Sequence, residues 1–154
     1  TMAEFTARDI MTPDPVTVER GLSVTEAARL MVDRRIGALP VLEEGALVGI
    51  VTEGDLIMRD VKVEFPTYLH LLDGFIMYPP ATARFESELK KAVGATVADV
   101  MSADPVTVQA DTPVADVATL MVDRDVSRIP VLEGDVLVGI VSKSDIVRSL
   151  ILEG

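Results

Sequence analysis

Cysteine and tryptophan are absent from this 154-residue chain, and histidine occurs once, at His70. With no Cys and one His, a single chain builds neither a disulfide framework nor a zinc site of the usual Cys/His ligands, so no metal site is expected. Basic charge is scarce: 14 Lys and Arg stand against 25 Asp and Glu, a net charge of −11. A surface of that sign opposes polyanions, which argues against nucleic acid and membrane surfaces as partners. Long apolar runs are missing too, since stretches such as 46–51 fall far short of the ~20 residues of a membrane helix. No signal-peptide pattern opens the chain, whose first residue reads as an addition ahead of a starting Met2, and a cytoplasmic place is expected. Disorder is excluded as the main state, because 49% of the residues are hydrophobic and the length supports a substantial core.

What the chain does contain is a repeat. Met11-Thr12-Pro13-Asp14-Pro15-Val16-Thr17-Val18 returns as Met101-Ser102-Ala103-Asp104-Pro105-Val106-Thr107-Val108, a shift of 90 positions. At the same shift, Leu30 to Arg34 matches Leu120 to Arg124, Pro40 to Glu43 matches Pro130 to Glu133, and Leu47 to Val51 matches Leu137 to Val141. Roughly 25 of ~55 aligned pairs are identical without a gap, far beyond chance for unrelated segments. Two copies of one supersecondary unit are expected, over 6–60 and 96–150, joined by a spacer over 61–95.

Each unit reads in one order. A short β-rich run, Val16-Thr17-Val18, leads to a turn at Arg20-Gly21 and then a helix, where Ser23 and Glu26 form a capping-box pattern and Ala27, Ala28, Leu30 and Met31 give helical spacing. In the second copy Thr112 and Pro113 mark the equivalent start, and the first-copy helix is expected to end near Asp33 or Arg34. Residues 39–42, an acidic turn at Glu44-Gly45 and the apolar run 47–51 read as a buried hairpin, followed by a second helix from Thr52 or Ser142. The expected class is α/β of the α+β type: two β-α-β-β-α units packed as a pseudo-twofold pair, each with its strands in one sheet. The spacer differs in composition, holding Phe65, Tyr68, Phe75, Tyr78 and Phe85, and a helix over about 82–93 is expected in it. Its aromatics cover an exposed part of the core or a subunit contact, or else form a surface for a partner.

The tail of each unit carries the most chemistry. Thr52-x-x-Asp55 and Ser142-x-x-Asp145 set a hydroxyl and a carboxylate three residues apart at a helix start. Such pairs are ordinary capping boxes; the same geometry lets the carboxylate accept both hydroxyls of a ribose beside helical N–H groups that attract anions. Here the chain resembles the cystathionine-β-synthase (CBS) domain: Asp-x-Met-[Thr/Ser] at the head, a Leu/Ile-Pro-Val-Leu-Glu strand, and Gly-Ile-Val-[Thr/Ser]-x-x-Asp at the tail, all occurring twice.

That resemblance implies a regulatory pair with two clefts for adenosine-containing ligands such as AMP, ADP, ATP or S-adenosylmethionine, no required cofactor, and association into a homodimer. Carried over by position, one cleft would use Asp145 with Ser142 and Ser144 for the ribose side, Ile36, Gly37 and Ala38 for the adenine, and Arg128 and Lys143 for phosphate, with Thr12 lining it. The other would use Asp55, Thr52 and Ser102 with Val126 and Ser127. Ala38 and Glu53 stand where the second copy has Arg128 and Lys143, so the Asp55 cleft lacks the phosphate-binding charge.

Other charged and sulfur-bearing residues have simpler roles. Arg34 and Arg124 follow an Asp at a helix end, where a cation offsets the helix dipole. His70 has no nucleophile or carboxylate at a catalytic spacing, and Met11, Met31, Met101 and Met121 recur as packing residues. No catalytic set is expected. The chain reads as a nonenzymatic module that senses an adenine nucleotide and acts on a regulated protein, the alternative being a scaffold whose spacer and helices hold a partner.

Overall fold

The computed structural model describes residues 5–62 and 95–152. Within them lie α1 (Ala7–Ile10), β1 (Thr12–Pro13), β2 (Val18–Glu19), α2 (Val24–Arg34), β3 (Ala38–Glu43), β4 (Ala46–Thr52) and α3 (Glu53–Lys62). The second copy repeats the series as α4 (Val97–Val100), β5 (Ser102–Ala103), β6 (Val108–Gln109), α5 (Val114–Arg124), β7 (Arg128–Glu133), β8 (Val136–Ser142) and α6 (Lys143–Leu152). The expected spacer helix over 82–93 lies outside the described residues.

Local chemistry sets the boundaries. Ser23 Oγ accepts the Glu26 N–H at 3.1 Å and opens α2, whereas α5 starts after Pro113 because Thr112 turns its hydroxyl to the Gln109 N–H instead. Both helices close on a residue in the left-handed region, Arg35 at φ 55° and Asp125 at φ 51°. The following N–H groups, of Ile36 and Val126, bond back to the Met31 and Met121 carbonyls at 3.0 Å, the pattern of a Schellman stop. Thr52 and Ser142 are the last residues of β4 and β8 and cap α3 and α6 from outside, so each helix begins one position later than expected.

The strands form two four-stranded sheets, ordered β1-β8-β7-β6 and β2-β3-β4-β5. Each copy's β-ββ set shares a sheet, as its apolar runs require. The head segment does not stay with its own copy. β1 pairs antiparallel with β8, Thr12 opposite Ile140 and Pro13 opposite Gly139, while β5 pairs with β4 through Ala103–Gly49 and Ser102–Ile50. Two residues are too short a run to announce a strand by alternation, which hides this exchange in the sequence. Pro130 is tolerated in β7 because parallel β6 pairs only with Val131 and Leu132, so its missing N–H falls outside that ladder.

Two compact units result. One takes the described parts of Thr1–Thr17, Pro40–Ile50 and Ser102–Gly154, the other those of Val18–Leu39 and Val51–Met101. In the first, Ala7, Val108, Ala110, Val117, Met121, Ile129, Val131 and Val141 form one buried cluster, with Ile10 and Met11 packed against it. A fully buried Val or Ile stabilises by roughly 1.5–3 kcal/mol, so this cluster anchors the head segment to the second copy. Backbone bonds reinforce it: the N–H groups of Ala7 and Arg8, unpaired within so short a helix, donate to the carbonyls of Thr112 and Ala110 at 2.8 and 3.0 Å. Arg8 also pairs with Glu133 at 2.7 Å, and that carboxylate raises the arginine's pKa. In the second unit the N–H groups of Val97 and Ala98 likewise donate to Leu22 and Arg20, and Val18, Ala27, Met31, Leu39, Val51 and Val97 are buried.

Gly139 permits the close approach of β1. A Cβ there would run into the Met11 side chain and sit 3.0 Å from the Thr12 carbonyl oxygen, which cannot move aside as a flexible side chain can. Gly139→Ala is therefore expected to lower stability by about 1–3 kcal/mol, the usual cost of overpacking. Urea unfolding measures this; an unchanged midpoint would mean that the head segment yields freely.

Candidate functional site

A cavity of about 290 Å³ lies within the first unit, between the head segment and α6; residues 9–13 form one wall and Asp145, Arg148 and Ser149 the other. Its size is close to the lower end of small-molecule pockets, roughly 300 Å³. The Gly139 contact and the α1 anchors described above bring the first wall into place.

Asp145 is fixed from two directions. The Ser142 N–H donates to its Oδ2 at 2.8 Å, and its own N–H donates to Ser142 Oγ at 3.3 Å, a reciprocal capping box at the start of α6. The other oxygen, Oδ1, accepts from Nη2 of Arg148 one helical turn along. The carboxylate side chain is only 6% exposed while that of Arg148 is 64% exposed, so the guanidinium stands at the open side of a nearly enclosed acid. Ser149 is fully buried, its hydroxyl donating to the Ile146 carbonyl at 2.5 Å.

Asp9 faces the same cavity. It accepts from the Thr6 N–H and hydroxyl at 2.8 and 3.1 Å, and Asp99 is held the same way by Thr96. With Thr52 and Asp55, whose two backbone-to-side-chain bonds measure 2.8 and 3.3 Å, the described residues carry four Thr/Ser-x-x-Asp clamps. The cavity lining thus holds two carboxylates and one guanidinium, together with the apolar Ile10, Met11 and Pro13 and the hydroxyl of Thr12.

Of the residues expected around Asp145, Thr12 shares its cavity and Ser142 bonds to it directly. Ser144 and Lys143 are exposed on the first turn of α6, and Arg128 is half-buried at the start of β7 opposite Ser142; none of the three is in the cavity lining. The Lys143 N–H donates to the Ser127 carbonyl at 3.0 Å. Ser127 itself is exposed, as is Ser102 on β5, and Val126 packs on the hydrophobic cluster. In the second unit Ile36 and Gly37 are half-buried and Ala38 is buried; the Gly37 carbonyl accepts the Glu53 N–H at 3.0 Å beside the half-buried Thr52 and Asp55.

Sequence reasoning missed Asp9, Arg148 and Ser149. The sequence carries their signals: Thr6-x-x-Asp9 has the same spacing as Thr52-x-x-Asp55 and Ser142-x-x-Asp145, and Arg148 stands three residues after Asp145. Among the described residues no cluster of His, Cys, Asp and Glu is arranged to hold a metal, and no helix is long and apolar enough to cross a membrane.

A family model of the CBS domain matches this chain twice, over residues 7–62 and 97–152. Protein MJ1426 of Methanocaldococcus jannaschii is 31% identical over 153 residues, covering 94% of this chain and 90% of MJ1426. The crystal structure of CBSX2 in complex with AMP, a chloroplastic protein of Arabidopsis thaliana, superposes with a TM-score of 0.73 at 26% identity, covering 97% of this chain and 98% of that one. The CBS domain pair of protein MJ0100, in complex with 5′-methylthioadenosine and S-adenosyl-L-methionine, gives a TM-score of 0.71 at 26% identity with the same coverage.

The two sides of the Asp145–Arg148 pair differ in their weight on stability. Asp145→Ala removes the clamp at a buried helix start and is expected to lower stability by about 1–2 kcal/mol. Arg148→Met removes a largely exposed partner and is expected to cost less than about 1 kcal/mol. Chemical denaturation of both variants checks the order; a larger loss in Arg148→Met would refute it.

Proposed function

We propose that this chain, which belongs to the CBS domain family, is a noncatalytic sensing module that binds an adenosine-containing ligand through Asp145. The observation that carries this reading is the cavity itself: a buried, doubly fixed carboxylate shares one small cavity with Thr12 and with the apolar Ile10, Met11 and Pro13. Clamping leaves room for ligand chemistry. A carboxylate offers about four lone-pair sites, and the bonds from Ser142 and Arg148 use one on each oxygen of Asp145, so a ribose diol finds further acceptor sites on oxygens already held in position. The bound AMP of CBSX2 and the bound adenosyl compounds of MJ0100 support the choice of ligand class. Thr52 and Asp55 repeat the clamp in the second unit and are proposed as a second diol-binding pair. Binding regulates by shifting the protein toward whichever arrangement holds the ligand more tightly, and the regulated protein responds to that shift.

A ligand that binds only the native state adds about 2.7 kcal/mol of stability at ~100 times its dissociation constant. AMP, ATP, adenosine and S-adenosylmethionine, tested alongside guanosine and cytidine counterparts, are therefore expected to divide in a thermal-unfolding assay, with the adenine compounds alone raising the transition temperature. Asp145→Ala should abolish most of the rise. No shift with any adenine compound would remove the sensing reading in favour of a scaffold.

We also propose a homodimer. Val32 and Val122, at matching positions of α2 and α5, are 75% and 80% exposed, and Ile57 and Val147, matching on α3 and α6, are 62% and 60% exposed. Apolar side chains left uncovered on two helices of each copy favour a second chain as their cover. Light scattering is expected to give twice the chain mass; a monomer at high micromolar concentration would contradict this.

A further inference from the structure

Among the described residues, Arg148 is the one cation in the cavity lining. Its Nη2 is the nitrogen bound to Asp145, whereas a guanidinium carries five N–H donors in a fixed fork, so donors on Nη1 and Nε remain to engage an anion while the pair stays intact. The pair also fixes the guanidinium's place, because Asp145 is itself clamped to the start of α6. Charge elsewhere does not help an anionic ligand: Asp9 and Asp145 are both in the lining, the chain carries −11 overall, and Arg128 and Lys143 are not part of the wall. An anionic group binds in this cavity through direct contact with Arg148 or it is repelled.

We propose that Arg148 is the specificity-determining residue of this cavity: anchored by Asp145, its guanidinium receives a phosphate on the ligand's ribose, so the site takes a nucleoside phosphate in preference to the bare nucleoside. The inference rests on the nucleoside-binding reading above and names the ligand's second recognition point. It also makes the two copies unlike, since Met58 stands at the position 90 residues earlier and offers no charge. Arg148→Met therefore gives the second copy the first copy's residue at one position.

Calorimetry of the full chain with AMP and with adenosine, at one ionic strength, tests this. The natural chain is expected to bind AMP roughly tenfold or more tighter than adenosine, the scale of a charge-assisted hydrogen bond. Arg148→Met should bring the two affinities together by weakening AMP several-fold more than adenosine, and Arg148→Lys should restore part of the preference by returning the charge without the fork. An AMP preference that survives in Arg148→Met, or that collapses in Arg128→Ala instead, overturns the assignment and leaves the nucleoside reading standing. Binding of neither compound to the natural chain overturns both.

Discussion

The close approach of residues 11–13 to β8 at Gly139 is the contact on which the candidate site depends. One wall of the cavity belongs to the head of the first copy and the other to the tail of the second, some 130 residues apart in sequence. A missing Cβ lets them meet, and the apolar packing of Ala7, Ile10 and Met11 holds them together. Ordering a segment costs roughly 1–2 kcal/mol per residue of backbone, more than two strand residues recover alone. The donation of α1 N–H groups to the 110–112 turn and the Arg8–Glu133 pair add enthalpic contacts at the other end of the same segment.

Repeated use of one local device accounts for much of the rest. Thr6–Asp9, Thr52–Asp55, Thr96–Asp99 and Ser142–Asp145 each tie a chain entry to the first turn of a helix. A carboxylate at that position satisfies N–H donors that the helix cannot and lies at the positive end of the helix dipole, so it is favoured before any ligand is considered. Structural and recognition roles are therefore compatible: the capping bonds fix the geometry of an acid, and a fixed acid loses less freedom when a diol binds. What separates Asp145 from the other three is its surroundings, namely near-complete burial and an arginine bound to its second oxygen; Asp9 shares its cavity but is exposed.

Legibility in the sequence followed the range of the interactions. The hairpins, the Ser23 cap of α2 and the order of elements rest on contacts within a few residues, and alternation, Gly and capping patterns report them directly. The resemblance that identified the family is of the same kind, a set of short motifs in fixed order. The exchange of β1 and β5 between the copies left no such trace, because a two-residue strand has no periodicity and the decisive feature is a glycine in a distant strand. The place of Arg148 was hidden for another reason: its spacing from Asp145 is local, but only the fold sets the second turn of α6 against the wall formed by residues 9–13. Asp9 is legible only in part: Thr6-x-x-Asp9 shows the clamp spacing, but its place in the cavity depends on the pairing of β1 with β8.

Comparing the two copies separates what the fold needs from what distinguishes its halves. The backbone is matched down to unusual conformations: Asp14 and Asp104 have φ of 47° and 50°, and Arg35 and Asp125 close equivalent helices at 55° and 51°. Those positions accept Asp or Arg alike, so the helix stop is set by hydrogen bonding and packing on either side rather than by the side chain that occupies it. Charge follows a different rule. At the 90-residue shift Arg8 corresponds to Ala98, Glu53 to Lys143, Ala38 to Arg128 and Met58 to Arg148. Each exchange lies at a helix start, a strand start or a helix face near a clamp, where a charge alters the local field while leaving the buried cluster untouched. Two copies with one backbone and different charges are thereby able to differ in the ligands they accept without differing in how they fold.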